Sequence, residues 1–191
     1  MIPVLLFLGS TALFAEPIGY KILSGGGNLI TLEVKKTGMM KGKAHHFEFP
    51  NFQGKLTYDP QTPANSKVEL KIEATSMACH DTWVSPKDLQ KIMDAALSDM
   101  LLVRQYPEMR FTSTKVTPRG GNQFQVDGVL TIRGIARPIT IAATLQPAGM
   151  VIDGKSVFKM TSYDMKPPSA LLGIIGTQDD MTASFHVTAS K

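Results

Sequence analysis

Three groups of side chains are of types that act as nucleophiles, bases or metal ligands: Cys79-His80-Asp81, His45-His46 and Asp179-Asp180. A nucleophilic cysteine needs a base held beside it, and a metal site needs three or four converging ligands. Neighbouring side chains of an extended segment point to opposite faces, so His80 is directed away from Cys79 and the two adjacent histidines diverge. The sequence therefore predicts no catalytic residue and no metal site. The histidines are interpreted as solvated loop residues, the thiol as half-buried and the aspartates as turn or strand-end residues.

Other sequence signatures of chemistry are missing as well. Gly25-Gly26-Gly27 lacks the Lys-Ser/Thr pair and the following helix of a phosphate-binding loop. The sequence contains neither a Gly-x-Ser-x-Gly elbow nor a His-Glu-x-x-His motif. We therefore expect a protein that is not an enzyme and that has no cofactor.

The segment from Gln123 to Leu145 has the pattern of a β-hairpin. Apolar residues alternate with polar ones on both sides of an interruption at Gly134 to Pro138. Proline cannot donate a ladder hydrogen bond, so we expect Pro138 at a strand start or edge. The sequence predicts two antiparallel strands joined by a short loop.

Similar alternation predicts most of the other elements. One amphipathic helix is expected after Ser85, a good N-cap followed by Pro86 at the first helical position. Turns are expected at 118–122 and 149–154, and an apolar loop at 167–176. The further predicted strands are 22–24, 30–35, 46–58 (two short strands or one bulged strand), 66–74, 109–116, 157–165 and 181–189.

Many short alternating strands and one main helix favour an antiparallel barrel or a sandwich, and the pattern alone does not separate the two. The chain of 191 residues is long enough for one domain with a sizeable core. Its net charge of +4 comes from scattered basic residues, whereas a nucleic-acid-binding surface would need them clustered on one face. We expect no nucleic-acid partner.

The segment 1–15 is apolar and carries no charged side chain, and its apolar run is followed by small residues at Ser10-x-Ala12 or at Ala15 before Glu16, as a signal peptidase site requires. It is shorter than the roughly 20 residues that span a bilayer, so we predict a signal peptide and no integral membrane segment. A first core strand is the alternative interpretation. The prediction leaves 16–191 as the mature domain, periplasmic or secreted. The single cysteine excludes an intramolecular disulfide.

Three separated motifs resemble the YceI-like family, in the right order: Phe52 to Pro60, Tyr106 to Thr114, and Leu130 to Gly134 with Pro138. The resemblance covers the chain from about Tyr20 to the C-terminus. It implies an all-β fold with one main helix, an eight-stranded antiparallel lipocalin-like barrel with an apolar tunnel. It also implies a carrier of a long isoprenoid or fatty-acyl molecule, and a role in transport, storage or stress protection.

Strand parity gives candidate residues for an apolar lining, and the helix and the 171–175 loop are expected to close the mouth. A surface-acting barrel without a ligand is one alternative, and an enzyme that uses Cys79 or Asp164 with a histidine is another. A homodimer is compatible with these features. The predicted ligand-binding residues are Phe49, Phe52, Leu70, Ile72, Met93, Leu97, Phe111, Phe124, Leu130, Ile132, Ile141, Phe158, Leu171, Ile174 and Phe185.

Overall fold

The computed structural model describes residues 16–191, so the predicted signal peptide at 1–15 lies outside the described residues. The described chain forms strands and one α-helix. Short 3₁₀ turns lie at Pro63–Asn65, Ala74–Ser76, Thr161–Tyr163 and Leu171–Gly173. The strands and helix are β1 Ile18–Leu23, β2 Leu29–Gly38, β3 Ala44–Phe49, β4 Phe52–Tyr58, β5 Lys67–Glu73, β6 Ala78–Cys79, α1 Pro86–Ala95, β7 Glu108–Gly120, β8 Gln123–Ile132, β9 Ile135–Gln146, β10 Val151–Lys159 and β11 Ile175–Ser190.

The sheet closes on itself as the predicted antiparallel barrel. Its strand order is β1-β4-β5-β7-β8-β9-β10-β11, and a pairing of β1 with β11 joins the two ends. The remaining strands, β2, β3 and β6, continue the positions of β1, β4 and β5 toward one end. The result is an eight-stranded up-and-down barrel, a size that either fills its interior with side chains or holds one small ligand.

Two breaks divide long strands at the points that the sequence indicates. Gly25, Gly26 and Gly27 all have positive φ and turn the chain between β1 and β2. Asn28 bridges the break, because its side chain donates to Leu23 O (2.7 Å) and accepts from Thr188 N (2.7 Å). Proline at position 50, which cannot donate to the ladder, separates β3 from β4. The prediction of two short strands within 46–58 is confirmed.

The central hairpin is tighter than the sequence suggested. Its turn is Arg133-Gly134, both with positive φ (52° and 75°), and Ile132 already pairs with Ile135. Two-residue turns of this kind match the twist of the flanking strands. The predicted loop at Gly134 to Pro138 is therefore wrong, and Pro138 lies inside β9 opposite Val129.

Pro138 nevertheless lies on a free strand edge. Strand β9 pairs with β10 only from Ala142 to Gln146, so its first half has no ladder partner on that side. Ser156 on β10 keeps one link across the gap by donating its hydroxyl to Thr140 O at 2.8 Å. We call this open stretch between β9 and β10 the seam.

The strand predicted at 157–165 ends at Lys159 instead. Asp179, at a bulge in β11, accepts hydrogen bonds from Thr161 N (2.9 Å) and Thr161 Oγ1 (2.7 Å). This cap turns residues 161–163 into a 3₁₀ turn and drives the Tyr163 side chain into the barrel, where it is 0% exposed. Its ring meets that of Phe158 edge to face, 5.8 Å between centroids.

The two predicted turns that flank the central hairpin are shorter than the sequence suggested. Strand β7 runs through Pro118 to Gly120, and β10 begins at Val151, so Gly154 lies within a strand.

The helix is confirmed, with Ser85 as its N-cap: the Ser85 hydroxyl accepts from Asp88 N (3.2 Å). It continues as one wider π turn, Ala96–Met100. Its apolar side packs on the barrel through Leu89, Ile92, Met93 and Leu97. The helix covers the end of the barrel at which β2 ends and β3 and β11 begin.

Candidate functional site

The barrel encloses a cavity of about 630 Å³. Almost every strand contributes side chains to its wall, and α1 closes part of one end through Ile92, Ala95 and Lys91. This volume lies within the range of about 300–1,000 Å³ that is usual for small-molecule sites. The lining is overwhelmingly aliphatic, aromatic and thioether, so the cavity suits an apolar guest.

The cavity brings together nine of the residues that strand parity selected. Each of them lies on the inner face of its strand. Because every second residue of a strand points to the same face, the alternation of apolar and polar residues was sufficient to find them. They are Phe49, Leu70, Ile72, Phe111, Leu130, Ile132, Ile141, Phe158 and Phe185.

The other predicted residues lie outside the lining. Phe52 is buried within the core, while Phe124, Met93 and Leu97 are half-buried against it. Leu171 and Ile174 are largely exposed on the loop beside the mouth, whereas Pro168, Ser169 and Ala170 of the same segment face the cavity. Ligand contact by the residues selected from the sequence, inside or outside the lining, stays a prediction.

Two glycines shape the aromatic part of the wall. A Cβ added to Gly128 would lie 2.5 Å from two ring atoms of Phe111, and one added to Gly154 would collide with the ring of Phe185. Both rings thus lie directly over a glycine of the neighbouring strand. The glycines let these rings lie flat against the wall, which explains glycine within β8 and β10.

Polar side chains reach the cavity mainly at the α1 end. Lys36 continues the inward register of Ile30, Leu32 and Val34 on β2, and its Nζ donates to Thr177 Oγ1 at 3.0 Å. Burial lowers the pKa of the Lys36 ammonium. Lys36 is not among the residues predicted from the sequence, although the same parity that selected its apolar neighbours places it inside.

His45 is the second polar residue of this end, and its interpretation as a solvated loop histidine is wrong. It lies on β3 with the inward register of Phe47 and Phe49 and is buried. Its Nδ1 is 2.7 Å from Asp81 Oδ2, and its ring stacks on Trp83 with centroids 4.8 Å apart. Burial lowers the pKa of His45, and the hydrogen bond to Asp81 opposes that effect only in part.

Cys79 completes a cluster with this pair. One potential ligand atom from each of His45, Cys79 and Asp81 lies within 4.8 Å of the others. Alternation along the chain separates only neighbouring side chains, and His80 is exposed, as expected for a residue directed away from Cys79. The histidine of the cluster comes from 34 residues earlier along the chain and is brought close when β6 pairs with β3, a contact that no local pattern encodes. The pKa of the Cys79 thiol is raised, chiefly by burial, which disfavours the nucleophilic thiolate.

A second depression, about 700 Å³, follows the outside of the seam. Its lining includes Asp127, Arg137, Thr140 and Lys159, so it is more polar than the interior cavity. Tyr163 and Phe158 line it from the barrel side and separate it from the interior. Burial raises the pKa of the Tyr163 hydroxyl to about 12.

The fold and its cavity place this protein in the class of up-and-down β-barrels with an apolar interior cavity. One helix closes part of one end of that cavity. Within residues 16–191 no helix is long and apolar enough to cross a bilayer.

The chain belongs to the family described as YceI-like domain, whose model matches residues 24–189. It is 32% identical over 128 residues to Protein YceI of Escherichia coli O157:H7, covering 62% of each chain. It is 33% identical over 104 residues to a UPF0312 protein of Pseudomonas putida W619, covering 54% of this chain and 50% of the relative. The alignments thus span about half to three-fifths of these curated relatives.

Solved structures share the fold. The crystal structure of Burkholderia cenocepacia BcnA superimposes with a TM-score of 0.65 at 21% identity, over 85% of this chain and 96% of that one. A structure described as a polyisoprenoid binding domain from Saccharophagus degradans, implicated in plant cell wall breakdown, superimposes with a TM-score of 0.57 at 13% identity. That match covers 89% of this chain and 97% of the other. The predicted barrel and family are both confirmed.

Proposed function

We propose that this protein is an exported, non-enzymatic carrier that holds one long apolar molecule, of polyisoprenoid or fatty-acyl type, inside the barrel. Transport, storage and protection under stress are the roles that such a carrier serves. The observation that carries the proposal is the interior cavity of about 630 Å³ with its aliphatic and aromatic wall. Burial of each methylene there contributes roughly 0.8 kcal/mol, so a long chain binds tightly with few polar contacts.

Family membership and the neighbouring fold support the same proposal. The domain from Saccharophagus degradans is described as polyisoprenoid-binding, and its barrel superimposes on nearly the whole of this chain. A nucleophilic role for Cys79 is disfavoured because its thiol is buried and does not line the cavity. A catalytic role for Asp164 is disfavoured as well, because it lies on an exposed turn and does not line the cavity. Its backbone carbonyl accepts a hydrogen bond from Arg133.

Native mass spectrometry of protein purified from its own host, followed by solvent extraction, tests the proposal directly. We expect one apolar chain per protomer, and identification of the extract gives its class. The same spectrum reports whether the protein is a homodimer, and N-terminal sequencing tests cleavage after the 1–15 segment. A clean unliganded mass, with no uptake of added polyprenol or fatty acid, would contradict the carrier proposal and favour a surface-acting barrel.

A matched pair of variants on β9 locates the bound chain. Ala143 faces the cavity, and Ala142 beside it faces solvent. Ala143→Phe adds a ring to the interior and is expected to reduce chain uptake at least tenfold, whereas Ala142→Phe leaves uptake unchanged. Ala183→Leu, which fills the cavity from β11, is a smaller second obstruction in case the first variant folds poorly. Equal uptake by all three variants would place the ligand outside the barrel.

A further inference from the structure

One end of the cavity carries a positive charge, the ammonium of Lys36, that has no counter-ion among residues 16–191. Lys36 lies on the inner face of β2, and its one hydrogen-bond acceptor is the neutral hydroxyl of Thr177. Within residues 16–191 no carboxylate forms an ion pair with Lys36. Burial lowers the pKa of its ammonium. A half-buried ammonium without an acidic partner costs free energy unless something else neutralises it.

The other two ionisable side chains that line this end, His45 and Lys91, already have partners. His45 is hydrogen-bonded to Asp81, and its lowered pKa keeps it uncharged at neutral pH. Lys91 of α1 also reaches the cavity, but its Nζ pairs with Asp88 Oδ1 at 3.0 Å and its side chain is mostly exposed. Lys36 is therefore the group at this end with unused capacity to bind an anion.

The position of Lys36 suits the end of a chain-like ligand. Along β2 the inward residues Ile30, Leu32 and Val34 form apolar wall, and Lys36 follows them toward the end covered by α1. A molecule lying lengthwise with its tail among the apolar residues would place its head at this lysine. An ammonium favours an anionic oxygen over a hydroxyl, because charge-assisted hydrogen bonds are about twice as strong as neutral ones.

We propose that Lys36 binds the acidic head group, a carboxylate or a phosphate, of an amphiphile whose chain occupies the barrel cavity. This inference rests on the carrier function proposed above and adds to it the chemical class of the ligand. The polar end of the ligand lies at the end of the cavity that α1 covers. Neutral isoprenoids and alcohols of equal length are weaker ligands. Lys36 is a specificity-determining residue in this scheme, while the apolar wall supplies most of the affinity.

Two pairs of ligands that differ only in the head group test the inference. Delipidated full-length protein is titrated with oleate and oleyl alcohol, and with farnesyl phosphate and farnesol, below their critical micelle concentrations. We expect the acidic member of at least one pair to bind about 10- to 100-fold more tightly than its alcohol. The pair that shows the preference distinguishes a carboxylate from a phosphate as the natural head group.

Three variants assign the preference to Lys36. Lys36→Met replaces the ammonium with an apolar side chain of similar length and is expected to remove the preference, while alcohol binding is retained. Lys36→Arg keeps the charge and is expected to keep the preference. Lys35→Met is the matched control, because Lys35 is adjacent on the outer face and exposed, and its Nζ pairs with Glu33 Oε1 at 3.4 Å. Thermal unfolding of each variant reports whether it folds.

The outcomes are separable from those of the carrier proposal. Equal binding of acids and alcohols by the unmodified protein would overturn the head-group inference and leave the carrier function intact. A preference that survives in Lys36→Met, or that Lys35→Met removes equally, would also overturn it, since net charge would then be the cause. If no chain of either kind binds, the carrier function itself fails.

Discussion

His45 and Asp81 form a buried hydrogen-bonded pair, with Nδ1 and Oδ2 2.7 Å apart and side chains only 7% and 5% exposed. The pair ties strand β3 to the segment that leads into α1, so it fixes the covered end of the barrel. His186 and Asp153 form a second pair with the same 2.7 Å separation, but their side chains are 54% and 46% exposed. The two pairs have the same chemistry and differ in burial.

Removal of Asp81 is expected to destabilise the protein far more than removal of Asp153. Asp81→Ala leaves the buried His45 Nδ1 without a partner, and an unsatisfied buried group costs about 1–3 kcal/mol. Asp153→Ala exposes its histidine to water, and exposed pairs contribute about 0–1 kcal/mol. Urea denaturation at pH 7 measures both free energies of unfolding. Equal losses would mean that burial of the His45–Asp81 pair does not matter.

The lowered pKa of His45 predicts a loss of stability in mild acid. Its largest cause is burial, and the nearby Lys36 and His46 act in the same direction, while Asp81 opposes them. Because the folded-state pKa lies below the ordinary histidine pKa of 6.5, the unfolded chain binds the proton first as pH falls. The free energy of unfolding should therefore fall as pH decreases from about 6.5 toward the folded-state pKa.

Comparison with His45→Gln isolates this effect. Glutamine keeps a donor for Asp81 but does not titrate, so the variant is expected to show a shallower slope between about pH 6.5 and 5. Some carboxyl pKa values are also lowered, such as that of Asp127, for which the hydrogen bond from Thr140 is the largest cause. These groups affect stability only near and below the ordinary aspartate pKa of 3.8. Urea denaturation at pH steps separates the two windows. An identical slope in both proteins would exclude His45 as the titrating group.

Much of the fold followed from alternation of apolar and polar residues. The inward registers of β2, β5 and β8 are those that parity gives, and nine lining residues were found in this way. The family resemblance separated a barrel from a sandwich, because closure depends on β1 meeting β11 across the whole chain, which no local pattern encodes. The helix start at Ser85 was correct because capping is local.

The errors have long-range causes. Residues 161–163 leave the β pattern because Asp179, on another strand, caps them. His45 looked like a solvated residue because its partner Asp81 is 36 positions away. Lys36 was overlooked for a different reason: a lysine on an inward register contradicts the expectation of an apolar lining, and such contradictions of a local rule often mark functional positions.

The loop beside the mouth contains a backbone conformation that leucine does not favour. Leu172 has φ 54° and ψ 35°, in the left-handed region, and its side chain is fully exposed. Leucine there costs roughly 1–2 kcal/mol, and asparagine tolerates the same conformation. Leu172→Asn is therefore expected to raise the free energy of unfolding by about 1 kcal/mol. Leu23→Asn, at an exposed leucine in β1, is the control and is not expected to stabilise the protein. A lower free energy of unfolding for Leu172→Asn would contradict the prediction and show that the leucine side chain makes stabilising contacts.

The same loop is predicted to close the mouth, and this role has its own test. Pro168 to Ala170 face the cavity, while Leu171, Leu172 and Ile174 project outward beside them. If the loop retains the ligand, shortening its apolar side chains with Leu171→Ser and Ile174→Ser speeds dissociation severalfold without lowering stability. Stopped-flow displacement of a fluorescent fatty acid measures the rate. An unchanged dissociation rate would remove the loop from the closure of the cavity.

Tyr163 fills the place where β9 and β10 do not pair. We therefore expect its ring, but not its hydroxyl, to contribute strongly to the stability of the barrel. The side chain is fully buried, and its hydroxyl is 3.4 Å from Leu130 O, beyond the usual hydrogen-bond range. Tyr163→Phe should cost less than about 1 kcal/mol, whereas Tyr163→Ala removes a buried ring, at about 3–5 kcal/mol by analogy with Phe→Ala. The alanine variant also joins the interior cavity to the depression along the seam, so a bound chain should leave faster. Denaturation and ligand displacement on both variants test this, and a large loss in Tyr163→Phe would mean that the hydroxyl, rather than the ring, holds the seam.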